Sequence, residues 1–230
     1  MNSKKTFIEK RKIEIAVPTD HTKIYYTLDG SDADEKSTLY TEPFEINETT
    51  QIKAIAINQD GVKSKQIEAE FIRIKSGRSI KILSKYDNQY TAGGDDGLID
   101  QIYSNGDFRY GSWQGYQEQD FEAILDLGKQ EKVNKIAGSF HQDAKSWIWY
   151  PLYVEFWISD DAKNFKKITK IDCDVSQKKM GSMTKLFSKN YENLETRYIK
   201  VFAKSIMNCP DWHLSPGGKA WIFIDEIIVE

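Results

Sequence analysis

The chain has 230 residues, of which 40% are apolar and 13% aromatic, and a formal net charge of −3. That length admits one large β domain or two modest ones with a sizeable core. Lysines are dispersed, without the basic stripe of a duplex nucleic-acid binder, and no apolar run approaches the ~20 residues that span a membrane. Nucleic acid and membrane insertion are therefore not expected. The start, Met1 to Phe7, lacks the apolar segment of a signal peptide, as an excised domain would too. Cys173 and Cys209 could pair, but two free, half-buried thiols are the simpler reading.

In chain order, residues 12–17 and 23–28 alternate as strands around the turn-forming Pro18-Thr19-Asp20, and Asp29-Gly30 is a strong turn signal. Leu39-Tyr40, Pro43 to Ile46, Gln51 to Asn58, the Asp60-Gly61 turn and a run ending at Phe71 to Ile74 complete a first set of short strands. This spacing predicts an all-β sandwich over residues 1–75, with Tyr25, Tyr26, Tyr40 and Phe44 as packing aromatics. Ser76 to Ser79 reads as a linker, and residues 76–230 as a second domain.

The second domain is organised around Thr91 to Gly128. A glycine-rich polar loop leads there into a strand with Phe121, Ala123, Leu125 and Leu127 on one face and Glu122 and Asp126 on the other. Further strands are predicted at Lys135–His141, Tyr153–Ser159, Phe165–Ile168 and Tyr198–Ile206, with a turn at 159–164. Trp221 to Val229 is apolar on both faces and should be a central strand. With no helix in view, the domain should be an antiparallel β-sandwich or jelly roll.

Sugars are held by aromatic rings against their C–H faces and by planar polar groups against their hydroxyls. The loops here are rich in both, and Arg109, Trp113, His141, Trp147, Trp149, Trp212 and His213 are the candidate ligand contacts. The competing reading is that several of these tryptophans plug the sandwich or dock on another domain, and that the histidines are structural. With three histidines and no Cys-x-x-Cys, nothing supports zinc. Asp95-Asp96, Asp160-Asp161 and Asp225-Glu226 are acidic pairs, but adjacent residues on a strand point to opposite faces, so Asp225 and Glu226 should not flank one bond. Glu226 should share a face with Ile222, Ile224 and Ile228, where a buried carboxylate needs a partner.

Two resemblances cover nearly the whole chain. Ile24 to Ser31, Ser37 to Tyr40, Pro43-Phe44 and Thr49 to Ala54 resemble the small immunoglobulin- or fibronectin-like domain at the C-terminal end of bacterial chitobiases and β-N-acetylhexosaminidases. There the family often has Pro where this chain has Ala33. Leu98-Ile99-Asp100, Trp113, Phe121 to Gly128, Val154 to Phe156, Ser159 to Phe165, Arg197 to Val201 and Phe223 to Ile227 resemble the discoidin, or coagulation-factor C-type, domain, which is also the galactose-binding-like fold of family-32 carbohydrate-binding modules. The order is that found after the catalytic barrel of Bacteroidetes family-20 hexosaminidases. The resemblance implies a spacer followed by a non-catalytic module that binds a glycan with terminal Gal, GalNAc or GlcNAc. It also implies a catalytic domain in cis, on a barrel of roughly 250 residues, and a periplasmic, secreted or cell-surface setting. The alternative is a structural domain that packs on that barrel and binds nothing itself. A structural calcium is implied between Asp100 and Glu226, with loop oxygens near Tyr103, Asn105 and Phe108, although Gln101 stands where the family usually has Gly.

Overall fold

The computed structural model describes residues 3–16, 22–74, 77–104 and 106–230. Among these the chain is all-β, with short 3-10 turns and no α-helix, and it divides into two units, Met1–Ser76 and Gly77–Glu230.

The first unit contains β1 (Ser3–Phe7), β2 (Arg11–Ile13), β3 (Lys23–Thr27), β4 (Thr38–Leu39), β5 (Phe44–Ile46), β6 (Thr50–Ile57) and β7 (Ile67–Arg73). One sheet has the order β1-β7-β6-β3-β4, and β2 pairs with β5 in a second. Ile13 and Ile46 from the small sheet meet Phe7, Ile52 and Phe71 from the large one, which makes a thin sandwich core. Phe44 stacks on Tyr26 at 4.7 Å, Tyr40 meets both edge-on, and its hydroxyl accepts the Ile15 N–H. These aromatics pack against one another, as expected. β1, which pairs with β7 in parallel, has no clear period in the sequence. The strand expected over 12–17 ends at Ile13. Val17, the turn at 18–20 and Ser76 of the expected linker lie outside the described residues. Ala33 donates its backbone N–H to Gln66 Oε1 at 2.9 Å, a bond that proline could not make.

The second unit contains β8 (Ser79–Ile82), β9 (Gln114–Gln117), β10 (Phe121–Gln142), β11 (Tyr153–Ser159), β12 (Lys166–Asp172), β13 (Met183–Ala203) and β14 (Trp221–Val229). The two strands expected over 121–127 and 135–141 are one 22-residue strand, and the expected 198–206 strand is the end of the 21-residue β13. β10 and β13 pair antiparallel from Phe121↔Ala203 to Gln142↔Met183, with register shifts between Asp126 and Glu131 and between Val133 and Lys135. The first half of β10 also carries β8, and the matching half of β13 carries β11 and then β12; the second half of β10 carries β14 and then β9. One bent ribbon therefore belongs to both layers of a sandwich, as strands do when bulges let them switch sheets. The bend needs Gly128, whose φ is +81° and where a Cβ would strike the Gly77 carbonyl oxygen.

Phe121, Leu125, Ile199 and Val201 from one layer pack on Ile136, Phe140, Phe187 and Ile224 from the other. β14 shows a break in its alternation. Its core residues are Ile222 and Ile224, then Ile227 and Val229, because Ser139 pairs with Glu226 and Phe140 with Ile224, leaving Asp225 as an extra residue in a bulge. This corrects the face expected for Glu226: beyond the bulge it shares a side with the half-buried Ile228, away from Ile227.

Phe140 is fully buried, with its ring edge-on to Phe121 and Phe187. Phe140→Ala should cost about 3–5 kcal/mol, whereas Leu214→Ala, at a side chain 99% exposed, should stay within about 0.5 kcal/mol. Urea unfolding of the two variants beside the parent chain checks this contrast.

Candidate functional site

Trp149 is buried at one end of the second unit, in a small cluster with Ala144, Cys209 and Ala220. Its indole N–H donates to the Gln177 carbonyl at 3.1 Å, and its ring meets those of Trp212 at 6.4 Å and His213 at 5.2 Å. The buried Gln142 amide donates to the carbonyls of Ser176 and Lys179 and accepts the Tyr150 N–H. His213 Nδ1 accepts the Ser215 N–H, so its Nε2 carries the proton and donates to the Ala144 carbonyl at 2.9 Å. Three loops, 143–150, 173–182 and 206–218, are thereby fastened to one aromatic post.

Two indoles of these loops are exposed. Trp147 is 44% exposed and Trp212 39% exposed. Trp147 has φ of +62°, a left-handed conformation that is unfavourable for a bulky side chain. The surrounding bonds hold it there: its N–H donates to the Ala144 carbonyl, and its own carbonyl accepts the Trp221 N–H at 2.8 Å. Leu214 and Met180 are exposed on neighbouring loops. Cys209 is buried, and it and Cys173 are both free thiols, each with its pKa raised by burial.

Trp113, His141 and Trp149, expected as ligand contacts, are fully or almost fully buried, and a bound sugar would not reach them. Trp113 lies in a cluster with Ile148 and Phe223, beside Tyr90 and Phe108. The His141 ring packs on Trp113 at 4.9 Å, and burial lowers its pKa against the opposing charges of Asp143 and Asp107. Its ring nitrogens and the Trp113 indole N–H make no hydrogen bond among the described residues. This cluster lies on the far side of β14 from the main core, so the stretch from Tyr90 to Trp113 covers a sheet face instead of forming a free loop. Arg109 is exposed at the edge of this cover, paired with Asp107 at 3.3 Å and lying over the Phe108 ring.

The same cover meets the carboxylates of β14. Glu226 accepts the Gln101 N–H at 3.0 Å, Asp225 accepts the Ser104 N–H at 2.8 Å, and Asp100 accepts the Ile102 N–H at 2.7 Å. Adjacent carboxylates thus serve one loop, because the bulge re-aims Asp225. The strict alternation expected from the sequence fails at that residue. Burial and mutual repulsion push Asp100 up to about 6 and Glu226 up to about 9, and burial raises Asp225. None of the three takes part in an ion pair among the described residues. Asp225 Oδ1 is buried without a partner there. The charge of this trio fits a cation. The described residues contain no group of three or more His, Cys, Asp or Glu side chains arranged to hold a metal, so backbone carbonyls would have to supply much of the shell. Asn105, expected as a ligand, lies outside the described residues.

The sequence model of the chitobiase/beta-hexosaminidase C-terminal domain matches residues 2–68, the stretch that carries the first resemblance. No curated protein is similar enough to the chain to count as a match. Similar solved structures include the family 32 carbohydrate-binding module of Clostridium perfringens NanJ in complex with galactose, at 15% identity and a TM-score of 0.43, covering 67% of this chain and 93% of that one. CpGH89CBM32-5 of Clostridium perfringens, in complex with GalNAc-β-1,3-galactose, is 16% identical with a TM-score of 0.42, covering 66% and 94%. The C-terminal domain of a chitobiase from Bacteroides fragilis is 18% identical with a TM-score of 0.37, covering 66% and 92%. The chain is all-β throughout its described length, and its first unit is similar to the C-terminal domain of chitobiases and β-hexosaminidases.

Proposed function

We propose that the second unit is a carbohydrate-binding accessory module, and that its binding surface is the loop end carrying Trp147 and Trp212. The observation that carries this reading is Trp147, an exposed indole held in a left-handed backbone conformation, with a second exposed indole, Trp212, on another of the loops fastened to Trp149. Strained residues of this kind persist where the surroundings over-determine them, and they cluster at ligand sites. The ligands are terminal Gal, GalNAc or GlcNAc residues, stacked on the indoles. In this reading the chain is the non-catalytic part of a periplasmic, secreted or cell-surface glycoside hydrolase, with hydrolysis carried by a catalytic domain in cis. A second reading is favoured by Leu214, whose side chain is 99% exposed, and Met180, at 51%: the loop end docks on that catalytic domain and holds no sugar.

Isothermal titration with galactose, GalNAc and GlcNAc separates the two. Binding with a Kd on the order of 1 mM, weakened more than about tenfold by Trp147→Ala or Trp212→Ala, is the expected result. A flat titration with all three sugars would leave the docking reading in possession of this surface.

We also propose that calcium is held by Asp100 and Glu226, with carbonyls of the 100–108 loop completing an oxygen shell. Bound there, it would neutralise the buried carboxylates. Calcium at a hundredfold excess over its Kd should stabilise the fold by about 2.7 kcal/mol, a rise of roughly 5–10 °C in melting temperature, and Glu226→Gln should remove most of it. No shift of the melting temperature between calcium and EDTA would count against the site.

In EDTA the sign of the pH dependence follows from the raised carboxyls. The folded protein keeps protons that the unfolded chain releases near 3.8 at Asp100 and 4.5 at Glu226. Stability should therefore fall as pH rises, through about 6 for Asp100 and about 9 for Glu226, by at most ~1.4 kcal/mol per pH unit for each proton. Urea midpoints between pH 5 and 9 measure this slope, and Glu226→Gln should flatten its upper part.

A further inference from the structure

We infer, resting on the glycan-binding reading above, that His213 is a positioning residue for that surface: through the Ala144 carbonyl it ties the strained Trp147 to the loop that carries Trp212. The observation is one oxygen with two donors. The Ala144 carbonyl accepts the Trp147 backbone N–H at 3.1 Å and His213 Nε2–H at 2.9 Å. A carbonyl oxygen has two lone pairs, so both are in use. Trp147 closes the short 3-10 turn Ala144–Ser146, and His213 comes directly after Trp212 on the 206–218 loop. Among the described residues this is the one hydrogen bond that runs from the 206–218 loop to residues 143–147. The other ring nitrogen, Nδ1, accepts the Ser215 N–H at 3.2 Å. Both nitrogens are therefore spent on the protein, and His213, expected from the sequence as a ligand contact, acts on a sugar through Trp147.

The link matters because Trp147 does not hold its own conformation. Its φ of +62° is left-handed backbone, which the Cβ of an L residue disfavours. Two backbone bonds oppose relaxation, one from its N–H to Ala144 and one from the Trp221 N–H to its carbonyl. The second is anchored in a sheet, since Trp221 opens β14. The first ends on a turn of three residues, and His213 fastens that oxygen from outside the turn. The imidazole is itself held. Its ring stands nearly perpendicular to those of Trp149 at 5.2 Å and Trp212 at 6.0 Å, and the Ser215 N–H fixes the tautomer in which Nε2 is the donor. A sugar that stacks on an indole gains most when the indole is already in place, because ordering a side chain on binding opposes affinity. His213 supplies that order before the sugar arrives.

The test uses substitutions that separate the two ring nitrogens. His213→Gln carries an amide N–H to the place of Nε2, keeping the Ala144 bond and losing the Ser215 one. His213→Asn does the reverse, offering its oxygen to Ser215 and nothing to Ala144. His213→Phe keeps the ring contacts and loses both bonds. Each variant is titrated with galactose, GalNAc and GlcNAc, the Trp147 backbone amide is followed in proton–nitrogen NMR correlation spectra, and urea unfolding checks that the variant is folded. His213→Gln should bind within about twofold of the parent chain, while His213→Asn and His213→Phe should bind about fivefold more weakly. The Trp147 amide should be displaced in the same two variants and stay in place in His213→Gln. Parent affinity in His213→Asn with loss in His213→Gln would overturn the inference, since His213 would then serve only its own loop. A Trp147 amide unmoved by all three substitutions would overturn it too, and sugar binding by the parent chain would still leave the glycan reading intact. No response of the parent chain to any of the three sugars would overturn the glycan reading, and with it the affinity effect assigned to His213.

Discussion

The pairing of β10 with β13 is the constraint on which the second unit depends. Each strand is more than twenty residues long, and each lends one half to each layer. An ordinary sandwich joins its sheets through loops and side chains, whereas here the backbone hydrogen-bond ladder itself passes from one layer to the other. The bend between Asp126 and Lys135 sets the angle at which β8, β11 and β12 on one side meet β14 and β9 on the other. The position of the loop end follows from that angle, since the loops leave from the tips of these strands.

Trp149 transfers that rigidity to the surface. It spends its ring faces and its indole N–H on holding three loops, which frees Trp147 and Trp212 to project. Buried Trp113 and His141 support the cover over the opposite side of β14 in the same way. Sequence reasoning took all four tryptophans as candidate ligand contacts, because a loop position and an aromatic ring look alike whether the ring points in or out. The structure separates them into two posts and two platforms.

The elements with a clear period were legible: the alternation of Phe121 to Leu127, of Tyr153 to Ser159 and of Gln51 to Asn58 all mark strands. What escaped had physical reasons. The first half of β13, Met183 to Asn190, is largely exposed and carries polar residues on both faces, so it shows no two-residue period although Phe187 is in the core. The continuity of β10 through Gly128 to Asn134 was hidden because a glycine followed by charged residues is the usual signature of a turn. At the candidate site, Asp100 and Glu226 were found from the resemblance, but Asp225 was dismissed by the rule of alternation, which a bulge suspends.

That bulge separates two demands on β14. The inward residues are 222, 224, 227 and 229, so a chain shorter by Asp225 alone would bring them to consecutive alternate positions and pair them without interruption. The core does not require the extra residue; a regular strand would serve it better. In the language of insertions and deletions, Asp225 is a one-residue insert whose gain lies in the carboxylate it delivers to Ser104 and the 100–104 loop. Folding and site-building in this strand are therefore written at different positions, and length variation at this single point could tune the site while the sandwich stays the same.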